Sequence, residues 1–492
     1  MKYLNNFKKR GLILTIILVL SYLVLSYKLI NVPPGINLDE ASIGYNASLI
    51  EKNLHDENNR FLPPFVLTLE GSDWKQPINV YTTVLVFKIL GRSYFSLRFV
   101  SVIIALVSGL IFYKLLGLFF SFRLSLVGFL LYITSPSILI QSHLALENIA
   151  LLPFFLGWIY FLFAYSRSKI NWKIVLSGFC LGLSFYAYKG MHAMVPVYIL
   201  ASIGYLLIVS KEKIKSIILF LIGIISFLLP IPWLQTHYAG AIYDPVVVSF
   251  PSYFEALYRY LSSFDLSFLF VKGDKILIHS TGYHGMFLLP ILFLFFLGLF
   301  QIIQAKKINY YFILIVLLIT PLPLTLVDSI DRASRLMPLI PLVTFIAVLG
   351  IKRIIEYQNT VIKYILLCFL SVAVVTNYAN LLNYYWGDYP GIIRSEFAPD
   401  LDSAFKVLKF TAVERNQAPY IENSFYSQHK PNMQFFWEVY FPNQTLRIWN
   451  RENSTLPLNG LVLTAIKGGN DMINYQEISG LGNDRFYIVG KK

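Results

Sequence analysis

Apolar residues in this chain gather into long unbroken runs separated by short polar connectors. A run of about 18–20 residues is the length a helix needs to cross a bilayer. On that reading the chain carries eleven spans, at roughly 11–30, 97–120, 123–140, 148–166, 172–188, 190–209, 214–235, 285–304, 308–327, 336–354 and 361–382. Little more than Lys189-Gly190 separates the fifth from the sixth. Three polar stretches are longer. The first, about 31–96, opens with Pro33-Pro34-Gly35 and contains Pro63-Pro64. Its apolar pieces, Ala41–Ile50 and Ile78–Leu90, are too short or too polar to span and are predicted as interfacial helices. The second runs from about 236 to 284. The third is the C-terminal tail, where Gly460–Ile466 and Arg485–Gly490 read as short strands set between Asn/Gly turns. The predicted architecture is an all-α polytopic membrane domain of about eleven helices over residues 1–383, with interfacial helices in its first outer loop, followed by a small α/β extracytoplasmic domain over 384–492.

Composition agrees. Hydrophobic residues make up 56% of the 492 and charged residues 14%, where a soluble chain carries about a quarter charged. The net charge of +14 would suit a nucleic-acid partner, but its distribution assigns it to topology. With the N-terminus cytoplasmic, every inner connector is basic, as the positive-inside rule asks: Lys8, Lys9 and Arg10; Lys114 and Arg123; Arg167, Lys169 and Lys173; Lys211, Lys213 and Lys215; Lys306 and Lys307; Lys352, Arg353 and Lys363. Glu212 and Glu356 alone among the acids fall on that side, and all seven histidines fall on the other. The C-terminus is then extracytoplasmic. No basic helix, aromatic-interleaved patch or finger motif supports nucleic-acid binding. Cys180 and Cys368 lie inside apolar runs and suggest neither a disulfide framework nor a metal site. The run from Gly11 to Ile30 is too long for a signal-peptide core and lacks a small-residue exit. Walker A and GxGxxG patterns are missing, which argues against nucleotide chemistry.

Candidate chemistry collects at the outer rim. Asp39-Glu40, just past the first span, could supply a general base toward an acceptor hydroxyl or a metal ligand, or could be hydrated loop acids. His143 and Glu147 have i,i+4 spacing and would share a helix face, as a metal or acid/base pair or as a polar cap. Arg98 opens an apolar run where a buried cation needs a partner; with Lys75 it could bind a lipid phosphate, or snorkel to the headgroups. His279 and His284 precede the eighth span, Asp331, Arg332 and Arg335 the tenth, and Lys189 and His192 open the sixth. The rim arginines suit phosphate; generic headgroup binding explains them too. Asn46, Asn443 and Asn453 begin outward-facing N-x-S/T triplets.

Several of these stretches together resemble a known family. They are Leu38-Asp39-Glu40-Ala41, Leu54-His55-Asp56-Glu57-Asn58, Asp73-Trp74-Lys75-Gln76-Pro77-Ile78-Asn79-Val80-Tyr81, Leu90-Gly91 and Ser96-Leu97-Arg98-Phe99. Phe270-Val271-Lys272-Gly273-Asp274 through His279-Ser280 and Gly285, and the segment Pro321–Arg335, add weaker likeness. The pattern is similar to the GT-C membrane glycosyltransferases of the protein O-mannosyltransferase-like group (glycosyltransferase family 39), including bacterial members and aminoarabinose-transferase relatives, over roughly residues 1–390. The resemblance implies transfer of a sugar from a polyprenyl-phosphate donor to a protein, glycan or lipid hydroxyl at the outer face of a bacterial plasma membrane. It implies Asp39 as the catalytic acid with Glu40 beside it, Glu147 as an assisting acid and Arg98 as a donor-phosphate ligand. Lys75 and Arg335 are expected to help hold that phosphate. Some relatives bind a divalent cation, which leaves a cation open here, with His143, His279 and His284 as metal or acid/base candidates. The chain has Gln76-Pro77 where bacterial relatives often have Pro-Pro, and His192 where they tend to have Arg. The competing class is a transporter or lipid-linked-sugar flippase. Such proteins place charges near the bilayer midplane on broken, repeated helices; here charges avoid the span interiors and no repeat is found.

Overall fold

The computed structural model describes residues 2–242, 251–326, 332–398, 400–452, 455–468, 472–479 and 485–491; Asp331 and Asn453 lie outside the described residues. The chain folds as two compact units: Met1–Tyr27, Trp74–Asn79 and Ser101–Gly387 make the first; Lys28–Asp73, Val80–Val100 and Asp388–Lys492 make the second.

Each of the eleven predicted spans is helical. Seven described helices are long and apolar enough to cross a membrane, and an eighth counts if Phe122–Ile133 and Pro136–Ser142, bent by 59°, are one span. The bend has a local cause: the ring of Pro136 drives Ser135 out of helical geometry, to φ −60° and ψ 131°. Helices Asn171–Ser184, Pro290–Ala305 and Leu339–Ile355, of 14, 16 and 17 residues, are shorter than predicted. The expected fifth span stops at Ser184, and residues 185–190 form a turn instead.

Glycines set the closest helix contacts of the first unit. A Cβ on Gly178 would lie 2.0 Å from the Phe220 carbonyl oxygen, and one on Gly298 1.8 Å from that of Ile346. Only a residue without a side chain lets two backbones approach so closely. The connectors of this unit meet in two sets. At one end Lys169 Nζ donates to the Val209 carbonyl (2.9 Å) and the Tyr205 hydroxyl to Asn309 Oδ1 (2.7 Å). At the other end the Ile78 amide donates to the Tyr186 carbonyl (3.3 Å) and the Ala333 amide to Asp274 Oδ2 (2.7 Å). Each contact joins segments that the charge pattern assigns to the same side.

In the second unit, helix Leu38–Asn53 packs closely against other parts of the protein. Nine of its residues are buried, among them Ala41, Gly44, Ala47 and Ser48. Small side chains along it admit a bulky neighbour, and Gly44 meets the Phe435 ring of helix Lys430–Tyr440. Polar ties join the same regions: Asn432 Nδ2 donates to the Ile36 carbonyl (2.8 Å), and Arg92 Nη1 pairs with Glu438 (3.2 Å). The C-terminal part adds a five-stranded mixed sheet in the order Ile448–Trp449, Ala418–Glu422, Gly460–Thr464, Arg485–Lys491, Met472–Ser479. Ala418–Glu422 runs parallel to both its neighbours, and Arg485–Lys491 antiparallel to both of its own. Gly460–Thr464 is buried at every position, as a central strand covered on both faces should be. The small α/β region expected of the tail is therefore present.

Candidate functional site

The first-loop acids sit at the start of a helix for a local reason. Asn37 caps helix Leu38–Asn53: its Oδ1 accepts from the Glu40 amide (2.8 Å), while the Glu40 carboxylate accepts from the Asn37 amide (3.3 Å). This reciprocal box satisfies two of the amides a helix start leaves without partners. The partial positive charge at that end favours both carboxylates of the first turn.

Glu40 then does something else. Arg98 Nε donates to its Oε1 (2.9 Å) and Nη2 to its Oε2 (3.0 Å). The remaining guanidinium N–H groups donate to the carbonyls of Leu29 (3.1 Å), Pro33 (2.8 Å) and Gly35 (2.8 Å). The Tyr94 ring lies 4.6 Å below the cation. Both side chains are 0% exposed. All five donors of Arg98 are thus engaged inside the protein, and none is left for a phosphate. This corrects the expectation that Arg98 holds the donor phosphate, and it removes Glu40 from direct chemistry. Asp39, in the same turn but on another face, remains half-exposed.

A second group forms in the first unit, from connectors far apart in sequence. The Gln76 amide donates to the Glu147 carboxylate, and Gln76 Oε1 lies 3.2 Å from His192 Nε2. His192 is held from its other side by the Ile242 carbonyl (3.1 Å) and stacks on Phe185 (4.1 Å). The Tyr188 hydroxyl hydrogen-bonds the Arg335 side chain, with Glu147 and Arg332 close enough to act on it electrostatically. Arg332, Arg335 and Lys189 are half-exposed, while Lys75 is 5% exposed. Among the described residues, neither the Arg332 guanidinium nor the Lys189 ammonium makes a hydrogen bond or ion pair. Two partly exposed arginine forks beside a tyrosine hydroxyl suit a phosphate, which accepts paired N–H donors. Sequence reasoning named Arg335 but missed Tyr188; the signal was there in Tyr188-Lys189-Gly190 between two apolar runs, read instead as the end of a span.

The histidine expectations change most. His143 and Glu147 do not share a helix face. The helix ends at Ser142, and Leu146 turns extended at φ −109° and ψ 158°. His143 is fully buried, its ring 5.4 Å from that of Tyr385. His279 Nδ1 lies 3.0 Å from Gln141 Nε2, and Gln141 Oε1 accepts from Asn148 at 3.4 Å. His284 bridges Thr281 Oγ1 and Asn380 Oδ1, both at 3.0 Å, and burial pushes its imidazole below the usual range. His279 and His284 thus tie their loop to helices through hydrogen bonds, whereas His143 packs against an aromatic ring. No three His, Cys, Asp or Glu side chains among the described residues gather in a way that could hold a metal ion.

Known proteins can now be set beside this geometry. Residues 75–235 match the family model described as dolichyl-phosphate-mannose-protein mannosyltransferase. No curated protein sequence matches the chain significantly. In structure the chain is similar to ArnT from Cupriavidus metallidurans bound to undecaprenyl phosphate, at 10% identity and a TM-score of 0.56, covering 96% of this chain and 97% of that one. It is also similar to the archaeal oligosaccharyltransferase AglB from Archaeoglobus fulgidus in complex with an inhibitory peptide and a dolichol-phosphate. There the identity is 13%, the TM-score 0.51, and the coverage 86% of this chain and 63% of that one. These similarities bear out the resemblance read from the first-loop motifs.

Proposed function

Taking as premise that this chain has the fold of a GT-C membrane glycosyltransferase of the mannosyltransferase and ArnT kind, we propose that it moves a sugar from a polyprenyl-phosphate donor to an acceptor hydroxyl. The reaction is placed at the outer face of a bacterial plasma membrane, with the N-terminus cytoplasmic and residues 384–492 extracytoplasmic. Asp39 is the general base. The observation that supports this is the division of labour in one helical turn: Glu40 is buried and locked to Arg98, whereas Asp39 stays half-exposed on a turn held rigid by that lock.

In the proposed step the acceptor oxygen attacks the anomeric carbon while its proton passes to the Asp39 carboxylate. The bond from that carbon to the phosphate oxygen breaks, and polyprenyl phosphate leaves. A single displacement of this kind inverts the anomeric centre. Within the first unit, Arg332 and Arg335, with Tyr188, are proposed as a phosphate-binding group in their own right; Glu147 holds the Gln76 segment through the Gln76 amide.

The test is sugar transfer in proteoliposomes with a panel of radiolabelled polyprenyl-phosphate sugars, with and without EDTA. Asp39→Asn is expected to lower release of polyprenyl phosphate by about 10²–10⁴-fold without changing the melting temperature. Wild-type turnover by Asp39→Asn would remove the base assignment. Movement of intact labelled lipid between leaflets, with no donor consumed, would favour the flippase class. Loss of activity in EDTA, restored by a divalent cation, would add a metal.

A further inference from the structure

One cavity of the second unit has several polar side chains in its lining. It has a volume of about 440 Å³ and begins at the helical turn that carries Asp39, since Leu38 and Ser42 line it. The Ser42 hydroxyl donates to the Asp39 main-chain carbonyl (2.9 Å), tying that wall to the turn. Tyr45 continues the same wall one helical turn on, and Glu57, Gln434 and the Lys430–Glu70 ion pair (2.8 Å) complete the lining.

Its polar groups are held but not saturated. Asn46 grips the Glu57 residue twice: its Nδ2 donates to Glu57 Oε1 (3.1 Å), and its Oδ1 accepts from the Glu57 amide (3.0 Å). Among the described residues, Glu57 Oε2 accepts no hydrogen bond, and neither the Tyr45 hydroxyl nor the Gln434 amide has a partner. Burial pushes the Glu57 carboxyl above the usual carboxylate range and the Tyr45 hydroxyl above its own, with Glu57 adding to the latter. Tyr45 therefore keeps its proton and remains a donor. A carboxylate that accepts, a phenol that donates and an amide that does both form a mixed array. Sugar hydroxyls, each donor and acceptor at once, satisfy such an array. Leu38, Leu67 and Pro431 provide apolar wall against which the C–H face of a pyranose can lie. Glu57 and Glu70 against Lys430 leave the lining with one net negative charge, which disfavours anionic ligands. The volume falls in the range of small-ligand sites and exceeds what a lone serine or threonine hydroxyl needs.

We infer that this cavity binds an uncharged saccharide, the acceptor glycan of the transfer reaction, so that the enzyme glycosylates a sugar rather than a protein side chain. The inference rests on Asp39 as the base only for the word acceptor; binding itself does not depend on it. Glu57 and Gln434 are specificity-determining contacts and take no part in bond making.

The experiment uses the full chain in a non-glycosidic detergent, without donor, so that binding and turnover are read separately. Saturation-transfer NMR titrations compare methyl α-mannopyranoside, methyl β-glucopyranoside and N-acetylglucosamine with glucuronate, mannose 6-phosphate and an acetyl-capped Ser/Thr peptide. At least one neutral saccharide is expected to bind saturably. Glu57→Gln, which keeps the Asn46 contact, and Gln434→Ala, on the surface of its helix, should each weaken that binding by about tenfold. Asp39→Asn should bind as wild type does even where it turns over no donor, which separates this inference from the base assignment. No saturable neutral saccharide, equal affinity in wild type and both variants, or variant-sensitive binding of the peptide or the anionic sugars in its place would each overturn it.

Discussion

Charge is held in opposite ways in the two units. In the second, Glu40 and Arg98 are 0% exposed, and the arginine's donors meet protein acceptors one for one. In the first, Arg332 and Arg335 are half-exposed beside Tyr188 and Glu147. A completed buried pair positions its surroundings, because removing either member strands a charge in a low-dielectric interior. A partly exposed arginine pair can exchange water for a ligand's phosphate at much lower desolvation cost. Motif position alone makes Arg98 the anion site; its donors are all engaged within the protein, and the connectors of the first unit are proposed for that role instead.

The largest effect should come from breaking the closed pair. Arg98→Ala is expected to destabilise the protein by about 3–5 kcal/mol, seen as loss of folded protein on size exclusion or a large fall in melting temperature. Arg98→Lys should not rescue it, since an ammonium lacks the planar fork that reaches four separate residues. A stable Arg98→Ala protein that had lost only donor binding would erase the contrast between the regions. Next in size is the open group. Arg335→Gln should lower polyprenyl phosphate release by roughly 10²–10³-fold, while thermal unfolding stays as in wild type. An equally large fall in stability would show that Arg335 too is a lock.

Gly44→Ala sharpens the comparison from the packing side. A Cβ there would lie 2.6 Å from Phe435 Cε2, so overpacking should cost about 1–3 kcal/mol, measurable by chemical denaturation. The smallest effect concerns Glu57. Its carboxyl titrates higher in the folded protein than in the unfolded chain because it is partly desolvated. The folded state therefore binds the proton more tightly, and stability falls as pH rises from the ordinary carboxylate value through the raised one. Glu57→Gln removes that penalty, so its melting temperature should match wild type at low pH and lie slightly above it at neutral pH. A variant less stable than wild type at neutral pH would mean that the Glu57 charge stabilises the fold.

Much of the fold was legible from the residues alone. Long apolar runs can only be satisfied as helices in a bilayer, and the alternation of basic connectors matches the two sets of connector contacts. Asn37-Leu38-Asp39-Glu40 is also a capping signature in plain view, and reading it would have marked Glu40 as a structural acid. Other expectations depended on helices continuing where they do not. His143 and Glu147 were paired by spacing, yet a break after Ser142 separates them; Tyr188 was counted inside a span that ends four residues earlier.

The sequence by itself determined which segments are helical, which connectors are basic, and that acids and arginines collect in the polar connectors. All of these follow from burial cost and period, which are local properties of the chain. Only the tertiary structure decided that the capping carboxylate is also locked to an arginine while its neighbour stays half-exposed. Glu40 meets Arg98 58 residues away, and a helical turn directs Asp39 to a different face. Likewise Gln76, Glu147, Tyr188 and Arg335 come from four separate connectors. Their meeting depends on how the helices between them pack, through contacts such as those at Gly178 and Gly298, and no local pattern records it.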